Sequence, residues 1–144
     1  MLKKTITYED YDGNVRTEDL YFFISKSELT EMELTTPGGF TNKLERITNA
    51  QDGGEIMKIF KEIILKAYGE KAPDGRGFIK KRNGVSLAEE FEQTAAYDAL
   101  FTELLMDPDK AAAFINGIMP KDLMNEASKQ NLQAKMSGIP SGNN

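Results

Sequence analysis

Asp10, Asp12 and Asn14 alternate along the chain as the oxygen ligands of a calcium loop do. An EF-hand loop also needs glycine at its sixth position and a closing glutamate at its twelfth. Counted from Asp10, the glycine falls fourth, as Gly13, so the spacing favours a hairpin turn built from Asp, Gly and Asn. Gly38-Gly39, Gly53-Gly54 and Gly75-Arg76-Gly77 offer backbone N–H groups to a phosphate, but no Gly-Lys-Ser/Thr follows any of them. Helix boundaries already account for these glycines. Glu31 and Glu33, and Glu89, Glu90 and Glu92, are carboxylates on expected solvated helix faces, with no spacing that singles out an acid–base pair. Arg76, Lys80, Lys81 and Arg82 make the one basic cluster, suited to an acidic partner or to nucleic acid, or simply a solvated loop between turns.

Among 144 residues there is no histidine and no cysteine. The chain therefore lacks the usual neutral-pH proton shuttle, the softest metal ligands and the most nucleophilic thiol. Catalysis would fall to carboxylates, Lys, Ser, Thr or Tyr, none in a recognisable catalytic arrangement, so binding to other proteins is the expected mode of action. No enzyme activity, cofactor or metal is expected. A formal charge of −5 argues against a phosphate backbone as partner. No window approaches the roughly 18 continuous apolar residues that a membrane span needs. The start, Met1 to Thr7, has two lysines but no apolar run, which predicts no signal peptide. Absent cysteines fit a reducing interior, and the expected location is a cytoplasm.

The elements that would carry these groups follow from periodicity. Thr5 to Tyr8 and Val15 to Ile24 are rich in β-branched and aromatic residues around Asp10–Asn14, a β-hairpin signal, with Tyr8, Leu20, Phe22 and Ile24 expected on one face. Leu29 and Met32 suggest a short helix over 27–34, closed by Pro37-Gly38-Gly39; Phe40, Leu44 and Ile47 continue at helical spacing. Asp52 is placed to cap a strong helix from Gly53 to Tyr68 whose stripe is Ile56, Ile59, Phe60, Ile63, Ile64 and Ala67. Gly69 sits where a left-handed C-terminal residue belongs. Ser86-Leu87-Ala88-Glu89 reads as a capping box opening one helix to about Met106, with Leu87, Phe91, Ala95, Leu100, Phe101, Leu104 and Leu105 inward. Asp107-Pro108 restarts the chain as cap and first residue of a helix with Ala111, Phe114, Ile115 and Ile118 on one face, halted by Pro120. Beyond it Leu123, Met124, Leu132 and Met136 are loosely spaced among polar residues. They fit either a last core helix or a flexible strip that greases onto a partner.

The expected fold is α+β and predominantly α-helical, an N-terminal β-hairpin packed on a bundle of four to five helices. One globular domain is expected over 1–120 (hairpin 1–24, helical part 25–120), followed by a weakly structured tail, 121–144. The hairpin could also pair with another copy across an open edge, which leaves self-association open.

Several stretches together resemble the tail assembly chaperones of siphophages of Gram-positive bacteria. They are Tyr8 to Asn14 with Arg16 to Phe22, Glu31-Met32-Glu33-Leu34 ahead of Gly38-Gly39, and Ile59 to Lys71 before Pro73-Asp74-Gly75. Glu90 to Tyr97 and Ala111 to Ile118 extend the likeness, which covers most of residues 5 to 120; Lys80 to Val85 departs from it. What the resemblance implies is a non-virion, non-catalytic assembly factor in the host cell cytoplasm that coats the tape measure protein and recruits tail tube subunits. Many such proteins come in two lengths through programmed frameshifting, the extension contacting the tail tube protein, and the short polar end here looks like the short product. The competing reading is a structural virion protein such as a head–tail connector or tail completion protein; an acidic DNA mimic ranks third. For partner binding the chain offers Leu123, Met124, Leu132 and Met136 as an apolar strip, with Arg76, Lys80, Lys81 and Arg82 steering acidic segments.

Overall fold

The computed structural model describes residues 1–120, apart from the side chains of Ile47 and Thr48. Strands β1 (Leu2–Glu9) and β2 (Val15–Phe22) pair antiparallel over their whole length, with Leu2 opposite Phe22 and Ile6 opposite Glu18. Asp10 makes the turn: its carboxylate accepts the N–H groups of Asp12 and Asn14, each at 2.9 Å, and the Arg16 Nε–H at 2.6 Å. Gly13 supplies the left-handed φ of +83°. The Arg16 hydrogen bond holds the Asp10 carboxyl below its usual range, so this loop spends its oxygens on its own backbone. Tyr8, Leu20 and Phe22 share one pleat face, as expected from the sequence, and Ile6, absent from that expectation, is the most deeply buried residue of β1. The outer face is polar, with Thr5 donating to Asp19 at 2.7 Å and Thr7 bonded to Thr17 at 3.0 Å.

Helix α1 (Lys26–Thr35) begins with a full capping box: the Ser25 hydroxyl accepts from Glu28 N–H while the Glu28 carboxylate accepts from Ser25 N–H. Helix α2 (Phe40–Ala50) follows, then α3 (Gly53–Ala67) with Asp52 capping Glu55 N–H at 3.2 Å. At its other end α3 runs directly into strand β3 (Tyr68–Lys71).

The expected left-handed Gly69 is a correction. Gly69 lies in β3 opposite Tyr21, and it is glycine because a Cβ there would stand 2.6 Å from the Phe78 ring and 2.7 Å from the Ile79 carbonyl oxygen. β3 then pairs with β4 (Phe78–Ile79), giving a four-stranded sheet in the order β1-β2-β3-β4. A second small hairpin joins β5 (Lys81–Arg82) to β6 (Val85–Ser86) through Asn83 and Gly84, at φ 52° and 79°. Two consecutive positive φ values are what a type I′ hairpin turn requires.

The single helix expected from Ser86 to Met106 is two. Ser86 caps α4 (Leu87–Glu92), but Thr94 interrupts: its hydroxyl donates to Phe91 O at 2.7 Å and accepts from Tyr97 N–H at 3.1 Å. One side chain thus ends α4 and starts α5 (Ala95–Met106). Asp107 caps α6 (Pro108–Ile118) with Pro108 in its first turn, as read from the sequence. The described residues therefore carry six helices rather than four or five, in the expected helix-dominated α+β class.

One buried cluster joins the sheet to the helices, and Phe22 sits at its centre. Its ring packs edge-on to Tyr68 at 5.7 Å, Phe91 at 6.0 Å and Phe114 at 5.0 Å. Phe60 is buried as expected, but Phe101 is only partly buried against the cluster. Ile56 and Leu105, placed on core stripes by spacing alone, are exposed.

Candidate partner-binding surface

The basic stretch is taken apart by the fold. Lys80 follows β4 two residues after Phe78, and its ammonium turns inward to donate to Glu28 Oε1 and Oε2 at 2.9 and 2.8 Å, Phe23 O at 2.8 Å and Lys66 O at 2.6 Å. It ties together the end of β2, the first turn of α1 and the last turn of α3. Burial pushes the Glu28 carboxyl up, but hydrogen bonds from Lys80 and from the Ser25 backbone outweigh it, and Glu28 titrates below its usual range. Burial pushes Lys80 down, and the carboxylate it faces opposes that shift. Arg82 pairs with Glu70 at 2.9 Å. Arg76, in the loop before β4, and Lys81, at the start of β5, are exposed. Of the four basic residues, then, Lys80 is committed to the fold, Arg82 to a surface pair, and Arg76 and Lys81 face solvent. Leu123, Met124, Leu132 and Met136 lie outside the described residues.

Where β2 and β3 splay beyond their pairs at Tyr21 and Phe22, a shallow groove of about 550 Å³ opens along Glu18 to Tyr21 and Tyr68 to Lys71. Its floor is Tyr68, stacked on Phe91 at 4.0 Å. Burial raises the Tyr68 hydroxyl pKa, and Glu70, Glu18 and Glu90 raise it further. No nucleophile and base are paired there, and among the described residues no His, Cys, Asp or Glu cluster has the makings of a metal site.

Helices α3 and α5 each carry exposed apolar side chains. Tyr68 at the end of α3 stacks on Phe91 of α4, and Phe60 near the middle of α3 meets Phe101 of α5 at 6.4 Å. On α3, Ile56 and Met57 are 36% and 44% exposed, and on α5 Leu105 and Met106 are 42% and 80% exposed. Sequence reasoning missed this surface because it assigned Ile56 and Leu105 to the core. Spacing alone does not tell Ile56-Met57 from the buried pairs Ile59-Phe60 and Ile63-Ile64 of the same helix.

A helix-dominated α+β chain that leaves apolar side chains exposed on α3 and α5 is suited to contact with other proteins. A family model described as phage tail assembly chaperone matches residues 1–141, and the chain belongs to that family. No curated protein and no solved structure matches it.

Proposed function

We propose that this chaperone binds the tape measure protein during tail morphogenesis in the host cytoplasm, without catalysis, and that a longer, frameshifted form recruits tail tube subunits. The observation that carries the reading is the family match over residues 1–141. Ile56 and Met57 on α3 and Leu105 and Met106 on α5 support it, as exposed apolar side chains of the kind that meet an amphipathic helix. Arg76 and Lys81 are the basic side chains free to steer acidic segments of that partner, because Lys80 and Arg82 already hold carboxylates. Leu123, Met124, Leu132 and Met136 are proposed as a second apolar contribution. Among the described residues no helix is long and apolar enough to cross a membrane.

Co-expression with the tape measure protein tests this. The wild-type chain should co-purify with it, and Leu105→Glu with Met106→Glu should cut the recovered complex about tenfold while leaving the fold intact. Truncation after Pro120 should weaken the same complex if the apolar strip contributes. Stoichiometric recovery of the chain in purified virions would favour a structural tail component instead.

A further inference from the structure

β1 is the outermost strand of the sheet, eight residues long, without proline or glycine. Natural edge strands of this length are normally blunted or covered, because their free N–H and C=O groups invite another strand. The direction of those groups follows from the turn. Asp10 N–H donates to Asn14 O at 2.8 Å, so alternation makes Tyr8, Ile6 and Lys4 the β1 residues whose backbone groups face β2. The backbone groups of Lys3, Thr5, Thr7 and Glu9 point the other way, and among the described residues no other segment bonds to them. Lys4, the one charge on the core face of β1, is held aside by Glu103 at 2.6 Å, so it does not guard the edge.

The charge order of this edge is self-complementary. It begins with Lys3 and ends with Glu9, and an antiparallel copy inverts that order. With Ile6 opposite its own counterpart, Lys3 stands against the second copy's Glu9 and Thr5 against its Thr7, and each relation recurs on the other side of the two-fold axis. These outward-facing residues fall in hydrogen-bonded pairs, about eight backbone bonds in all. The same register keeps both core faces on one side, so the helices of the two copies do not meet through the sheet.

We propose that the chain pairs with a second copy of itself through β1, antiparallel and centred on Ile6, forming one continuous eight-stranded sheet. The paired strand includes none of Ile56, Met57, Leu105 and Met106, so failure of this pairing would leave the proposed function standing.

Sedimentation velocity of the full chain across a concentration series, up to about 100 µM, reads the association. A dimer is expected. Lys3→Glu alone or Glu9→Lys alone should weaken it about tenfold by setting like charges opposite one another, and the double reversal should restore it. Thr5→Pro removes an outward N–H at a site where an edge strand accepts proline, and should leave a folded monomer. A wild-type chain that stays monomeric overturns the proposal. So does a dimer indifferent to both charge reversals, or one dissolved by Met106→Glu instead.

Discussion

The Lys80 knot and the exposed parts of α3 and α5 lie on the same helical framework and treat their side chains in opposite ways. At the knot a cation that the sequence offers to partners is drawn into the fold by a carboxylate and two carbonyls. On α3 and α5, Ile56 and Leu105, which the sequence offers to the core, are left outside. The difference shows that residue type alone is a poor guide to surface role. What decides is whether the neighbouring elements arrive with complementary groups.

The comparison can be broken, beginning with the core that both regions share. Phe60→Ala should cost about 3–5 kcal/mol, because a buried ring leaves a cavity that helices and sheet cannot both close. Phe101→Ala, whose ring is only partly buried, should cost clearly less. Thermal melts of the pair test this, and equal losses would mean that the two helices bury their rings alike. Next, Lys80→Met keeps the stem and removes the ammonium, leaving Glu28, Phe23 O and Lys66 O without their donor. A loss of about 1–3 kcal/mol in urea unfolding is expected. Unchanged stability would return Lys80 to the group of free surface cations.

The pH dependence sharpens the same contrast. Glu28 titrates lower in the folded protein than in an unfolded chain. Its contribution is therefore complete above the unfolded value and disappears as pH falls through the folded one. Glu28→Gln should flatten the acid limb of a stability–pH curve, and an unaltered limb would place the acid sensitivity elsewhere. The smallest effect belongs to the exposed apolar residues, where Met106→Ser should move stability by less than about 0.5 kcal/mol. A larger loss would make Met106 part of the core.

The parts of the fold legible in the sequence were those governed by neighbours in the chain. Asp52 and Asp107-Pro108 announce their helices because capping is a contact over two or three residues. The turn at Asp10–Asn14 is equally local. β3 to β6 were not read, since strands of two to four residues show too little alternation to register. Gly69 misled because a glycine after a helix serves equally as a cap or as clearance for a ring arriving from elsewhere, here Phe78. Thr94 was passed over because a helix break made by one hydroxyl leaves no proline or glycine to mark it. Lys80 could be assigned only once β4 had placed it beside α1, fifty-two positions from Glu28 in the chain.

Leu2, at the start of β1, lies against Gly117 of α6, where an added Cβ would sit 3.0 Å from the Leu2 side chain, and Ile24 N–H donates to Ile118 O at 2.9 Å. The first strand and the last described helix thus close the same corner of the core. On the ribosome, the hairpin emerges well before α6, and its buried face finds that helix only after everything between them has been synthesised. Phe22 can meet Tyr68 and Phe91 earlier, but its contact with Phe114 waits for α6. Completion of the core is therefore a late event, timed by the arrival of α6 and not by the early formation of the hairpin.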